Sequence, residues 1–295
     1  MSKPKSRQQR RAQERDRAAR LHSRPQPSSQ RPLVLAAAGV LGVIAVIAAL
    51  VTVRLTQGGT TGAPAKPSGR APASVVRAVT TVPASLFNLI GYQSALAPLK
   101  RINGKALQKD GKPLIVFVGA EYCPLCAGER WALVAALSRF GTFHNLGATH
   151  SSSIDTDPNT ATFSFHRATY TSSYLSLDTV ELTTNQPQGN FYKPLEKPTA
   201  LEQQLSAKYD PNYIPFVYLG SRYIVDTVAY NPGILAGLTM QQIAAAMRNP
   251  SSPICQAILG TANNITAALC QQTNGKPASV CSSSGVVAAA KHLPA

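Results

Sequence analysis

The chain has 295 residues, with 29 Lys and Arg against 13 Asp and Glu, a formal net charge of +16. Only 14% of residues are charged and 44% are hydrophobic, which excludes a wholly disordered polycation and leaves room for one large domain beside accessory segments. All five cysteines lie at or after Cys123, which excludes a dense disulfide scaffold and a lipidated cysteine near the start.

Half of the charge excess sits in residues 1–32, where ten Lys and Arg face two acids. Residues 33–53 then read LVLAAAGVLGVIAVIAALVTV, with no charge and flanked by Arg31 and Arg54. At ~1.5 Å per residue such a run crosses a hydrocarbon core of roughly 30 Å. A cleaved signal peptide has a shorter apolar core, and Arg54-Leu55-Thr56-Gln57 offers no small-x-small site, so an uncleaved anchor is expected. The basic flank places the N-terminus in the cytoplasm and the rest outside, a single-pass protein of the cell membrane. Without aromatic residues the tail reads as a topogenic flank, and no nucleic-acid partner is expected. Residues 54–77 are rich in Gly, Pro, Ala and Ser and read as a flexible linker. A folded extracytoplasmic domain is expected over 78–284, with a flexible tail at 285–295.

Lys112-Pro113 leads into Leu114-Ile115-Val116-Phe117-Val118, an apolar run suited to a strand buried on both faces. Gly119 to Cys126 follows, containing Cys123-Pro124-Leu125-Cys126. A helix is expected from there to about Phe140, with apolar residues at helical spacing and Gly141 as its stop. The cysteines therefore stand at a helix N-terminus, where unpaired N–H groups and the partial positive charge stabilise a thiolate. Pro124 suits the first turn because its missing N–H is not needed there. This assigns Cys123 as exposed attacker and Cys126 as buried resolver. Two other readings stay open for the pair, a static disulfide and half of a zinc site. No second C-x-x-C or H-x-x-x-H accompanies it, so no metal and no cofactor are expected.

The strand–Cys-Pro-Leu-Cys–helix unit resembles the thioredoxin superfamily, in particular its extracytoplasmic disulfide-exchange branch. Tyr213-Ile214-Pro215 followed by Phe216–Leu219, a Gly220-Ser221 turn and Tyr223–Val225 looks like that superfamily's cis-proline loop and hairpin. The resemblance implies a cis Pro215 facing the cysteines, with Ile214, Pro124 and Leu125 lining a substrate groove. An ordinary proline at a strand start is the alternative. The blocks VFVGAEYCPLCAGERWALVAALSRFGTF, ATYTSSYLSL, IPFVYLGSRYIV and AILGTANNITAALC are similar to one family, domain of unknown function nine-twenty-nine, found in membrane-anchored prokaryotic proteins. That resemblance spans roughly residues 82–283 and implies no particular activity. Cys126 and Pro215 stand 89 positions apart, further than in the minimal fold, so an insertion is expected between them.

Within the insertion, Leu146 to Ile154 reads as a strand. Thr162 to Leu182 alternates with period two, as a hairpin or meander added to the sheet would. His166 and Tyr170 lie there, with no catalytic role assigned to His166. A short helix is expected around Leu201–Leu205, one opened by a Thr239–Gln242 capping box, and one opened by Ser252-Pro253 and closed at Asn274-Gly275. Cys270 and Cys281 are expected to form a structural disulfide, leaving Cys255 a buried thiol; spacing alone also allows Cys255–Cys270. Glu121 and Asp226 are the carboxylates considered as proton acceptors for Cys126, with surface or ion-pair roles as the ordinary alternative.

The expected fold is α/β, a thioredoxin-like sheet flanked by helices, with a β-rich insertion and C-terminal helices after one transmembrane helix. The expected function is thiol–disulfide exchange through Cys123, Cys126 and Pro215, with protein thiols or a redox partner protein as partners. The alternative is a non-catalytic binding or scaffold module whose C-x-x-C is structural.

Overall fold

A computed structural model describes residues 69–211 and 213–295. The basic tail, the expected span at 33–53 and most of the linker lie outside the described residues. Among the described residues no single helix is long and apolar enough to cross a membrane. The protein begins with β1 (Gly69–Arg70), α1 (Ala73–Thr80), α2 (Ala84–Ile90), β2 (Lys100–Arg101) and β3 (Gln108–Lys109). Next come β4 (Lys112–Gly119) and α3 (Pro124–Leu137). The following stretch holds β5 (Gly141–His144), β6 (Gly147–His150), β7 (Ala161–Ser164), β8 (Thr169–Ser172), β9 (Ser176–Glu181), β10 (Thr183–Gln188) and β11 (Phe191–Pro194). The chain then forms α4 (Ala200–Tyr209), β12 (Phe216–Leu219), β13 (Tyr223–Val225) and a 3-10 turn (Pro232–Leu235). It closes with α5 (Met240–Ala246), α6 (Pro253–Gln272), α7 (Ala278–Cys281) and α8 (Ser284–Ala290).

The central strand is β4. It pairs in parallel with β9 on one edge and antiparallel with β12 on the other, β12 pairs antiparallel with β13, and β2 extends the sheet beyond β13. Because successive side chains point to opposite faces, β4 divides its apolar run between two cores. Ile115 and Phe117, with Val217, Leu219 and Val225, share one core with Trp131 of α3 and Ile258 and Ile265 of α6. Leu114, Val116 and Val118, with Phe216, Tyr218 and Ile224, face the other, closed by Leu201, Leu205 and Tyr209 of α4. Two covered faces explain why these strands are apolar at every position rather than at alternate ones.

Caps set the helix starts. The Ser252 hydroxyl accepts from the Ile254 N–H and Pro253 follows at the first turn of α6. Thr239 with Gln242, and Thr199 with Glu202, form reciprocal capping boxes for α5 and α4.

Three expectations need correction. The folded region starts before residue 78, because Val75 and Val79 of α1 are buried in the first core. Residues 285–295 are not a flexible tail throughout: α8 packs Val286 and Ala289 into the same core. The alternating stretch at 162–182 is not one hairpin or meander, since its strands go to three sheets. β7 pairs with β6, β8 with β5, and β9 joins the central sheet beside β4. Period two reports a pleated, half-covered strand whoever its partner is, so it carries no record of the pairing.

Candidate functional site

At the carboxyl end of β4 the chain turns through Ala120, Glu121 and Tyr122 into α3. Cys123 is the N-cap of that helix: its extended backbone precedes the helix and its side chain occupies the place of a capping oxygen. The backbone N–H of Cys126 donates to Cys123 Sγ at 3.1 Å, so the sulfur meets the unpaired N–H end of the helix. Gly119 makes room beneath. A Cβ there would fall 2.4 Å from the Phe117 ring and 3.4 Å from Cys126 Sγ.

The loop before β12 covers the sulfur from the other side. Cys123 Sγ lies 3.7 Å from the Ile214 carbonyl oxygen, within reach of a donating thiol, and the Ile214-Pro215 peptide is cis. The structure thus brings together Cys123, Cys126, Ile214 and Pro215 from segments some 90 residues apart in sequence. Leu125 is 36% exposed, whereas Pro124 is buried. Cys123 itself is only 4% exposed, which corrects the expectation of an exposed attacker. The Ile214 carbonyl covers its sulfur, and Tyr122 beside it is stacked face to face on Tyr192 of β11, centroids 4.1 Å apart. The Tyr192 hydroxyl in turn donates to Ser152, whose N–H donates to the Tyr122 carbonyl. The insertion therefore builds one wall of the site.

The two thiols have opposite electrostatics. Burial pushes Cys123 up, but the Cys126 thiol and N–H, the Arg130 guanidinium and the Leu125 N–H outweigh it, and Cys123 falls below the ordinary cysteine value. Burial, joined by the hydrogen bond to Cys123 and by its charge, pushes Cys126 well up. One sulfur is thus set to ionise first and the other to keep its proton, the division expected of an attacking and a resolving cysteine.

Sequence reasoning missed Arg130 and Glu181. Both are fully buried. Arg130 Nε and Nη2 donate to the two carboxylate oxygens of Glu181 on β9, at 2.9 and 2.5 Å, and Nη2 also donates to the Ala120 carbonyl at 2.8 Å. A sequence signal for Arg130 was present in Gly128-Glu129-Arg130-Trp131, two charges inside a helix that is buried on every side from Cys126 to Leu137, whereas nothing comparable marked Glu181. The carboxylates considered as proton acceptors sit differently. Asp226 forms an ion pair with Lys100. Glu121 is only 1% exposed and is not a surface residue.

Cys270 and Cys281 form a disulfide joining the end of α6 to α7. Cys255 is a buried free thiol, pushed up to about 11 by burial. Among the described residues no group of three or more His, Cys, Asp or Glu could hold a metal ion.

Residues 98–191 match the family model described as Domain of unknown function (DUF929), the family that the sequence blocks at 116–143 and 168–177 resemble. The match includes β4, the Cys-Pro-Leu-Cys turn, α3 and most of the insertion, and stops before the Ile214-Pro215 loop. No curated protein and no solved structure matches the chain.

Proposed function

We propose that this protein is a membrane-tethered thiol–disulfide oxidoreductase with a thioredoxin-like domain outside the cytoplasm. The observation that carries the reading is the Cys123 sulfur at the N-terminus of α3, held by the Cys126 N–H and facing the Ile214 carbonyl. The strand order β9–β4–β12–β13, parallel then antiparallel, with α3 following β4 directly, supports the thioredoxin-like assignment. A single-pass anchor at 33–53, N-terminus inside, would hold the domain at the cell membrane.

In the reducing direction, the Cys123 thiolate attacks one sulfur of a substrate disulfide. That S–S bond breaks, the departing sulfur leaves as a thiolate and takes a proton from water, and a mixed disulfide forms. Cys126 then loses its proton to solvent and attacks Cys123 Sγ, releasing the second substrate thiolate. Two electrons have passed to the substrate, and the pair ends as a Cys123–Cys126 disulfide. A dithiol protein returns the pair to its reduced state, and in the oxidising direction every step runs backward. The chemistry uses the two sulfurs alone and asks for no cofactor. The Ile214 carbonyl occupies the side from which the substrate sulfur must approach, so an extended substrate segment would displace that contact.

The low exposure of Cys123 favours a second reading, a binding module with a structural C-x-x-C. The reduction potential of the pair in the full-length protein in detergent separates the two. Cysteine alkylation is followed across a glutathione series, with Cys123→Ser and Cys126→Ser as controls. A potential between about −120 and −270 mV with a fast-reacting Cys123 is the expected result. A pair below about −300 mV that reacts only after unfolding would overturn the enzyme reading.

A further inference from the structure

We propose that the buried Arg130–Glu181 ion pair is the positioning element that holds Cys123 as a thiolate, with Arg130 supplying the favourable charge and Glu181 limiting it. The inference rests on the oxidoreductase reading and deepens it. Arg130 stands one helical turn beyond Cys126 on α3, and none of it reaches solvent. Its Nη2 donates to the Ala120 carbonyl at 2.8 Å, the same oxygen that accepts the Cys123 N–H at 3.3 Å. The guanidinium is therefore tied to the backbone turn that carries the sulfur. Its Nη1 has no hydrogen-bond partner among the described residues. The same guanidinium lowers both Cys123 and Cys126.

Glu181 holds the cation in place. It engages Arg130 through both oxygens, and Oε1 also accepts the Phe165 N–H at 3.1 Å. Glu196 binds the Glu181 backbone N–H at 2.7 Å with one oxygen and His166 Nδ1 at 2.7 Å with the other. The charged and titratable groups facing the pair are thus Cys123 and Cys126 on α3's first turn, Glu121 in the turn before it, Glu196 and His166 beyond β9, with Tyr122 beside the sulfur. Burial opposes the charge on Arg130, and the Glu181 carboxylate more than restores it. A cation held this way needs no reorganisation when Cys123 loses its proton, and in a low-dielectric site its effect on the sulfur is stronger than that of a solvated one.

The two partners act on Cys123 with opposite sign, which makes the inference testable without reference to turnover. The reduced full-length protein in detergent is alkylated from pH 4 to 10, and Cys123 is read by peptide mass. Glu181→Gln keeps the hydrogen-bonding shape but removes the opposing charge, and should speed Cys123 alkylation at pH 6. The double variant Arg130→Met with Glu181→Leu removes both charges, and should slow it severalfold, because a smaller fraction of Cys123 is thiolate at that pH. At pH 10 only the smaller change in thiolate nucleophilicity should remain, opposite in sign to the change at pH 6, so the titration midpoint of each profile is the readout. Unchanged profiles, or profiles shifted the same way, in variants with the parent circular dichroism would overturn the inference. Should the double variant fail to fold, the Glu181→Gln profile decides alone: a titration midpoint moved to lower pH supports the inference, whereas a rate raised equally at every pH, as looser packing alone would give, overturns it. A parent Cys123 that titrates like a free thiol overturns the oxidoreductase reading, whereas an acidic Cys123 indifferent to both variants overturns only the role of the pair.

Discussion

Glu129 and Arg130 are consecutive residues on α3, both fully buried, and their surroundings treat them differently. Arg130 turns toward β9 and finds a bidentate carboxylate and a backbone carbonyl. Glu129 turns toward α6 and β13, into a small cavity bounded by Ala95, Leu99, Val225, Thr261 and Asn264, where neither of its oxygens finds a hydrogen-bond partner among the described residues. Burial alone pushes it up to about 8. The difference teaches how one helix can carry charge inside a protein. With a partner in place the charge is kept and its field is available to the thiols one turn away, while without one the group keeps its proton and contributes no field at neutral pH.

The largest expected effect comes from breaking the satisfied side. Arg130→Met leaves Glu181 buried without its counter-charge and should cost about 3–5 kcal/mol in urea unfolding. Adding Glu181→Leu should recover most of that loss, because two apolar side chains replace the pair. A double variant no more stable than the single one would mean that hydrogen bonds of Glu181, such as that from Phe165, matter more than charge balance.

Glu129→Met tests the other side and should stabilise. The unfolded chain releases this proton near the ordinary value of 4.5, whereas the folded protein holds it to about 8. The folded state therefore binds more protons across that window. Its stability falls as pH rises through it and levels off above about 8. Glu129→Met should remove that slope and gain on the order of 4 kcal/mol at pH 9 over the parent, with a smaller gain at pH 5. Equal gains at both pH values would show that the cavity, and not the proton, sets the cost.

Replacing Cys270 and Cys281 together with alanine opens a loop with a sequence separation of 11 and should cost about 3 kcal/mol. This pair lies at the far end of α6, so the Cys123 alkylation profile should stay the same. A shifted profile would tie the site to the C-terminal helices. The smallest effect is expected from Tyr192→Ala, which removes the ring stacked on Tyr122 and should cost about 1 kcal/mol. The same change should speed alkylation of Cys123 at pH 10 by opening the wall beside it, and an unchanged rate would assign the cover to the Ile214 loop alone.

Much of the site was legible in the sequence because it is local. Cys123, Pro124 and Cys126 share one turn, and their place at a helix start follows from the apolar run before them and the helical spacing after. The Ile214-Pro215 loop could be read only through resemblance, since nothing in a proline 89 positions away says which turn it faces. Arg130 and Glu181 were not legible as a pair, and neither was the stack of Tyr122 on Tyr192. Those contacts depend on β9 lying parallel to β4 and on β11 folding back over the turn. The exposure of Cys123 was misjudged for the same reason, because the Ile214 carbonyl that meets its sulfur comes from a distant segment.

The sequence by itself determined the apolar central strand, the cysteine-capped helix, the later capping-box helices and the cysteine pairing at 270 and 281 as one of two options. Each rests on periodicity, caps or spacing within a few turns of chain, where backbone geometry leaves few choices. Only the tertiary structure decided which alternating strand joins β4, which of two adjacent buried charges is satisfied, and what covers the Cys123 sulfur. Those outcomes depend on long-range pairing, and a pleated strand or a buried charge carries no mark of its partner until the layers pack.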